Sequence, residues 1–357
     1  MKPIAIIASG MISSVGLNAA TSCAAIRCAI DNFQETLFLD SEGEPILGAQ
    51  VPLDVPVRGR EKLIHLATTA IGQVLDELRC SGGELADLPT ESIPVVLCLS
   101  SENRPGRLGE LDATLLTEVA EQLNVPFSPH SLVVANGVVG GAQAIQAALT
   151  WLDQRVVPAV IVAGSDSLLT ASNLLALERQ ARLLTPKNSN GLIPGEAGAA
   201  VLLGPAGATG NPKEFLLRGV GFGQEPASIR SGQPLRANGL SQAIRAALQA
   251  ANCDYDDIDY RITGISGEQY AFKEASLAAA RTMDKVKSEY DLWHPADCMG
   301  DVGSALLPSM LVVARSAAEK AYAIGDGVLF HCANDDEQRA AIVGRYDDPQ
   351  KVRQHGQ

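Results

Sequence analysis

The sequence predicts an α/β protein whose sheets, mostly parallel, lie buried between helical layers. Three observations carry that reading. Apolar runs of strand length alternate with segments of helical periodicity along the chain. The 357 residues are 46% apolar, enough to bury a large core. The same order of elements also occurs twice, as strands covered on both faces and separated by crossover helices would produce.

In the first half, strands are expected at 4–8, 95–99, 132–135, 156–163 and 199–203. A helix after Asn18, a suitable N-cap, carries Ala19, Cys23, Ile26 and Ile30 on one face, which places Cys23 inside as a small hydrophobe. A second stripe, Leu63, Ala67, Ile71, Val74 and Leu78, closes at Ser81-Gly82-Gly83. The soft segment GPAGATGNPK, 204–213, marks the crossing to the second half. There, 216–221 and 259–263 read as strands, 238–251 as a helix with Leu240, Ile244, Leu248 and Ala251 inward, and 268–283 as another helix. A helix from Asp301 should bend at Pro308, before a last pair of strands at 327–332 and 340–344. The division is therefore 1–205, 214–346 and a polar tail, 347–357.

Both halves close alike, with a glycine corner, an apolar helix and two strands: GGAQAIQAALTWL, VVPAVIVAG and GAAVLLG in the first, VGSALLPSMLVVA, GVLFHC and AAIVG in the second. This argues for internal duplication of topology rather than of residue identity.

Composition excludes several classes. With 41 acidic against 28 basic residues and a net charge of −13, the chain has no global positive field for phosphate backbones, anionic lipid or an acidic carrier protein, and 4% aromatics give no stacking surface. Arg58, Arg60 and Lys62 are the best local basic patch, against a plainer reading as a solvated helix start. Seven cysteines without a CxxC pair suit reduced thiols in a cytoplasmic setting. The N-terminal IAIIA run, broken by Gly10, Ser13 and Ser14, reads as a strand rather than a secretion signal. No segment reaches the ~20 apolar residues of a membrane span. His65, His130, His294 and His355 lack ligand spacing, so no metal and no cofactor is expected. GISGE and GSDS miss the GxSxG pattern, and NGVVGGA lacks both the dinucleotide fingerprint and a P-loop lysine.

Four stretches resemble β-ketoacyl synthases of the thiolase-like superfamily, in order and across nearly the whole chain. They are the opening IAIIASGMISSVGLNAATSCAAIRCAIDNF; PAVIVAGSDS; LIPGEAGAAVLLG, a glycine-acid-glycine hairpin with Gly195, Glu196 and Gly198; and ANGLSQAIRAALQAANCDYDDIDYRITGISG. The resemblance implies a thiolase-like fold, two duplicated halves stacked as a five-layer αβαβα sandwich. It also implies a chemistry, in which an elbow cysteine holds an acyl chain as a thioester while two histidines assist decarboxylation and condensation.

The residues for that chemistry are missing. By the resemblance, the elbow cysteine falls at Val138, before Gly140 and Gly141. The first histidine falls at Ser266 in TGISGE and the second at Asp297 in PADCMGDVG, the corner that holds Gly300 and Gly303; the usual lysine falls near Leu292. The family's Phe-Gly-Phe-Gly-Gly loop is replaced by FHCANDD, 330–336, which with Val138 and Val139 suggests a plugged acyl pocket. Cys298, His331 and Cys332 are the candidates for a relocated active centre, against a reading of both cysteines as packed thiols.

The expectation is a catalytically inactive ketosynthase-like protein, a pseudoenzyme resembling chain-length factors of polyketide or fatty-acid systems. By the same resemblance it would form a homodimer, or a heterodimer with an active ketosynthase, through the strand in HSLVVAN, 130–136, with acyl carrier protein as a further partner. Two alternatives stand beside it: an adaptor or chaperone-like module linked to a secretion system, and an acyltransferase of the 3-oxoacyl synthase type with a relocated nucleophile acting on acyl-carrier or acyl-CoA thioesters.

Overall fold

The computed structural model describes residues 2–81, 85–285, 287 and 290–348. The first half runs β1 (Ile4–Ser13), α1 (Ala19–Arg27), β2 (Gln34–Leu39), β3 (Pro45–Gly48), α2 (Gly59–Ser81), β4 (Val95–Cys98), α3 (Leu111–Leu123), β5 (Leu132–Val134), α4 (Gly137–Asp153), β6 (Val160–Ser167), α5 (Ala171–Arg179) and β7 (Glu196–Pro205). The second runs β8 (Glu214–Gln224), α6 (Asn238–Ala251), β9 (Tyr260–Thr263), α7 (Gln269–Thr282), β10 (Leu292–Trp293), α8 (Ala296–Met299), α9 (Leu306–Glu319), β11 (Gly327–Ala333) and β12 (Gln338–Asp347).

One ten-stranded sheet has the order β10-β9-β11-β12-β8-β1-β7-β6-β4-β5. Numbering the strands within each half by chain order gives 3-2-4-5-1 on both sides, the two first strands meeting in the middle. The sheets are joined there by only two residue pairs, Ile4 with Leu217 and Ala5 with Leu216. The duplication read from the sequence is thus a duplication of strand order. The expectation of mostly parallel sheets needs correction: β4 pairs in parallel with β5 and β6, and β9 with β10 and β11, but the other five pairings are antiparallel. The last strand of each half runs back along the strand before it, through α5 in the first half and a short turn in the second, and so pairs with it antiparallel.

Three hydrophobic clusters define the layers. Apolar residues of α2 and α3 cover one face of the first half's sheet, with Val95, Leu97, Ile161 and Leu202. Those of α4 and α9 lie between the two sheets, against Val96, Val160, Ile262, Phe330 and Ile342. Those of α6 cover the far face of the second half, against Leu329, Ala341 and Val343. The result is helix, sheet, helix, sheet, helix.

Local signals hold where they had a physical basis. Asn18 caps α1 through a reciprocal capping box with Thr21, and the α2 stripe is buried throughout. Ile30 lies beyond α1 and is 55% exposed, because the chain turns at Ala29 with φ +52°. The expected strand at 156–163 begins at Val160, after Pro158, and continues through Gly-Ser-Asp-Ser, where pairing with β7 overrides turn-like composition. Pro308 lies in the first turn of α9, where a proline fits without a kink. The expected stop of α2 at Gly82-Gly83, and residues 349–357 of the tail, lie outside the described residues.

Candidate functional site

The corner between β5 and α4 keeps a strained backbone. Gly137 opens the helix at φ +58°, a conformation that favours glycine. Asn136, at the N-cap, makes no side-chain cap. Its amide instead pairs reciprocally with Gln338, at 2.8 and 3.1 Å. Asn334, from the segment replacing the family's glycine-rich loop, accepts from Val139 N at 3.2 Å and donates to the Asn136 carbonyl at 3.1 Å. The two halves are stitched together at the corner by amides, and a free N–H of the helix start is already engaged.

Beside this corner lies a cavity of about 260 Å³, lined among others by Gly137, Val138, Ser266, Asp301, His331 and Cys332. The expectation of a plugged pocket is therefore corrected. Val139 turns into the core at 1% exposure, and of the two valines Val138, half-buried against that core, lines the space. Gly140 and Gly141 are buried in the first turns of α4, Gly141 facing Leu307 of α9.

Asp297 does not enter the cavity. Its carboxylate is 66% exposed and pairs with His294 at 2.8 Å. The acid that lines the cavity from this corner is Asp301, directly after Gly300, so the chain enters the site four residues later than the sequence reading placed it. Ser266 Oγ donates to Asp301 Oδ2 at 3.3 Å and Gly303 N to Oδ1 at 2.9 Å. Burial pushes the Asp301 carboxyl above its usual range. Gly303, at φ +52°, leaves room for Asp166, whose Oδ2 would lie 2.1 Å from an added Cβ.

The proposed relocated centre does not assemble. Cys298 is buried in α8 and is absent from the cavity wall, its thiol pushed up to about 11 by burial. Cys332 and His331 do line the cavity, yet burial raises the thiol to about 12 and lowers the imidazole to about 3. Near neutral pH that leaves a thiol and a neutral ring, the opposite of a thiolate-imidazolium pair. The ring lies 3.2 Å from Thr263 Oγ1 through Nδ1, and Cys332 Sγ points at the Val138 carbonyl, so the two do not face each other.

The hairpin with the strongest motif proves to be a support. Glu196 Oε1 accepts from Val51 N at 2.9 Å and Lys62 Nζ at 2.8 Å, and Oε2 accepts from Ser167 Oγ at 2.9 Å. Gly195 N donates to the Asp301 carbonyl at 2.8 Å, tying the hairpin to the cavity, while Gly198 packs on Leu66 of α2. Lys62 is 3% exposed in this pair, Arg60 is paired with Glu118, and Arg58 stays exposed over the Phe38 ring, so two of the three members of the basic patch are engaged in ion pairs. Sequence reasoning also missed Arg104 and Asp166, which form a bidentate pair, and Arg182, which grips Glu268 and Asp335. Asp166 and Glu268 fall within the quoted stretches PAVIVAGSDS and TGISGE, but their arginine partners come from segments far away in the chain that no local pattern links to them. Among the described residues no group of His, Cys, Asp or Glu could hold a metal ion, and no helix is long and apolar enough to cross a membrane.

No protein-family model and no curated protein matches the chain. Solved structures do. A structure of a type II polyketide acyl-carrier protein in complex with its ketosynthase bound to the hexaketide matches at TM-score 0.79 and 12% identity, over 96% of this chain and 99% of that one. The ishigamide ketosynthase/chain length factor matches at TM-score 0.76 and 16% identity, over 96% and 99%. A ketosynthase in complex with its chain length factor from Xenorhabdus doucetiae matches at TM-score 0.74 and 14% identity, over 97% and 98%.

The fold is that of ketosynthases and chain length factors. Within this fold the β5-α4 corner carries Val138 beside the cavity.

Proposed function

We propose that this chain is a ketosynthase-like protein without condensing activity that serves as a dimer partner, paired with an active ketosynthase or with a second copy of itself. One observation carries the reading: an isopropyl group, Val138, at the helix corner where a thiolate is required. The protonation states of Cys332 and His331 support it, since neither supplies a nucleophile or a charged acid near neutral pH. The chain length factors among the structural neighbours support a partner role, and an acyl carrier protein is the expected third component. Seven free cysteines suit a reducing cytoplasm.

Incubation with labelled acyl and malonyl thioesters, followed by intact mass, should leave the protein unmodified. An acyl adduct lost on Cys332→Ser would overturn the inactive reading in favour of a relocated nucleophile.

Strand β5 supplies the interface in this reading. It is an edge strand, hydrogen-bonded only to β4, with Leu132 37% exposed and Val133 and Val134 partly covered. An apolar edge left open is a template for another strand. Light scattering after size exclusion should give a dimer at micromolar concentration, alone or with a co-expressed ketosynthase, and Leu132→Lys should shift it toward monomer. A clean monomer under both conditions refutes the partner role and leaves an adaptor of another system as the better account.

A further inference from the structure

The cavity wall is rich in charge, and almost all of that charge is matched. Arg104 holds Asp166 at 2.6 and 2.9 Å. Arg182 holds Glu268 at 2.8 and 2.6 Å and shares Asp335 with Arg230. Glu274 meets Arg339 at 2.8 Å. Asp336 lies at the exposed mouth, where water screens it. Asp301 is different: among the described residues no Lys, Arg or His forms an ion pair with it, and its partners are a backbone N–H and the Ser266 hydroxyl. The groups whose fields reach it, Arg182, Glu268 and Asp335, are already engaged with one another.

A half-buried carboxyl without a counter-ion is costly when ionised and is stabilised by a cation that enters beside it. The same wall carries Leu168, Leu177, Leu192 and Ile265, which give the cavity an apolar side as well as a charged one. At about 260 Å³ the space suits a small ligand, just under the roughly 300–1,000 Å³ of ordinary ligand pockets.

We infer that the cavity binds a small amphiphile bearing a protonated primary amine, with the ammonium against Asp301 and Ser266 and the apolar body along the leucine and isoleucine wall. The inference stands whether or not the chain partners a ketosynthase, because it uses only groups of this chain. Where Asp301 is protonated in the free protein, binding ionises it and one proton leaves to solvent as the ammonium-carboxylate pair forms.

The test is calorimetric titration of the full chain with hexylamine, hexan-1-ol and hexanoate at pH 7. Hexylamine should bind at least about tenfold more tightly than either, the ratio expected of a hydrogen bond to a charged partner. Asp301→Asn should remove the preference over hexan-1-ol, and Asp297→Asn, outside the cavity, should retain it. Failure of hexylamine to bind, equal binding of the alcohol or the carboxylate, or an unchanged preference in Asp301→Asn would each overturn the assignment.

Discussion

Glu196→Ala is expected to destabilise the fold by about 3–5 kcal/mol, because it strands the Lys62 ammonium in the protein interior. Both side chains of the pair are 3% exposed, and Glu196 also serves Val51 N and Ser167 Oγ, so one truncation leaves three donors without their acceptor. Replacing both members together, Lys62→Met with Glu196→Leu, should cost far less, since it removes the isolated charge. Chemical denaturation of the single and double variants measures the difference. A double variant no more stable than Glu196→Ala would mean that the hydrogen bonds to Val51 and Ser167, rather than the charge, hold the hairpin.

The second large effect is on the acid limb of stability. His331 is lowered from 6.5 to about 3 by burial, with Arg261 acting in the same direction. Between those values the unfolded chain binds a proton at this site and the native protein does not, so unfolding free energy rises with pH across the window. The contribution is complete above the unfolded pKa of about 6.5 and is lost as pH falls toward 3, amounting to several kcal/mol at about 1.4 kcal/mol per unit. His331→Gln removes the titration and retains a polar partner for Thr263 Oγ1, so its stability profile should be flatter from pH 6.5 down to 4. A slope equal to that of the unaltered protein would show that His331 is protonated in the native state.

The fold was legible because its signals are local and repeated. Helix α6 matches its expected bounds, 238–251, since inward Leu240, Ile244 and Leu248 recur at the helical period between a turn and an acidic loop. α3 gives no comparable signal although Leu111, Leu115 and Val119 stand at helical spacing, because polar residues dilute the stripe. The β2-β3 hairpin was missed because it is a separate two-stranded sheet with Leu37 and Leu39 exposed, outside the alternation that defines the main one. The site was half legible. Val138 and Ser266 both line the cavity, and the acid placed at 297 lies outside it while Asp301 lines it, because the short helix α8 turns Asp297 outward and the chain enters the cavity only after Gly300.

By itself the sequence determined the doubled α/β layout and the identity of the corner residues, Val138 among them, since apolar periodicity and residue identity are properties of the chain before it folds. Tertiary structure alone decided which carboxyl faces the cavity, which arginines are already matched, and that burial raises the Cys332 thiol and lowers the His331 imidazole. Those outcomes depend on burial and on distances between residues far apart in the chain, such as Arg104 with Asp166 and Arg182 with Glu268, which no local pattern encodes.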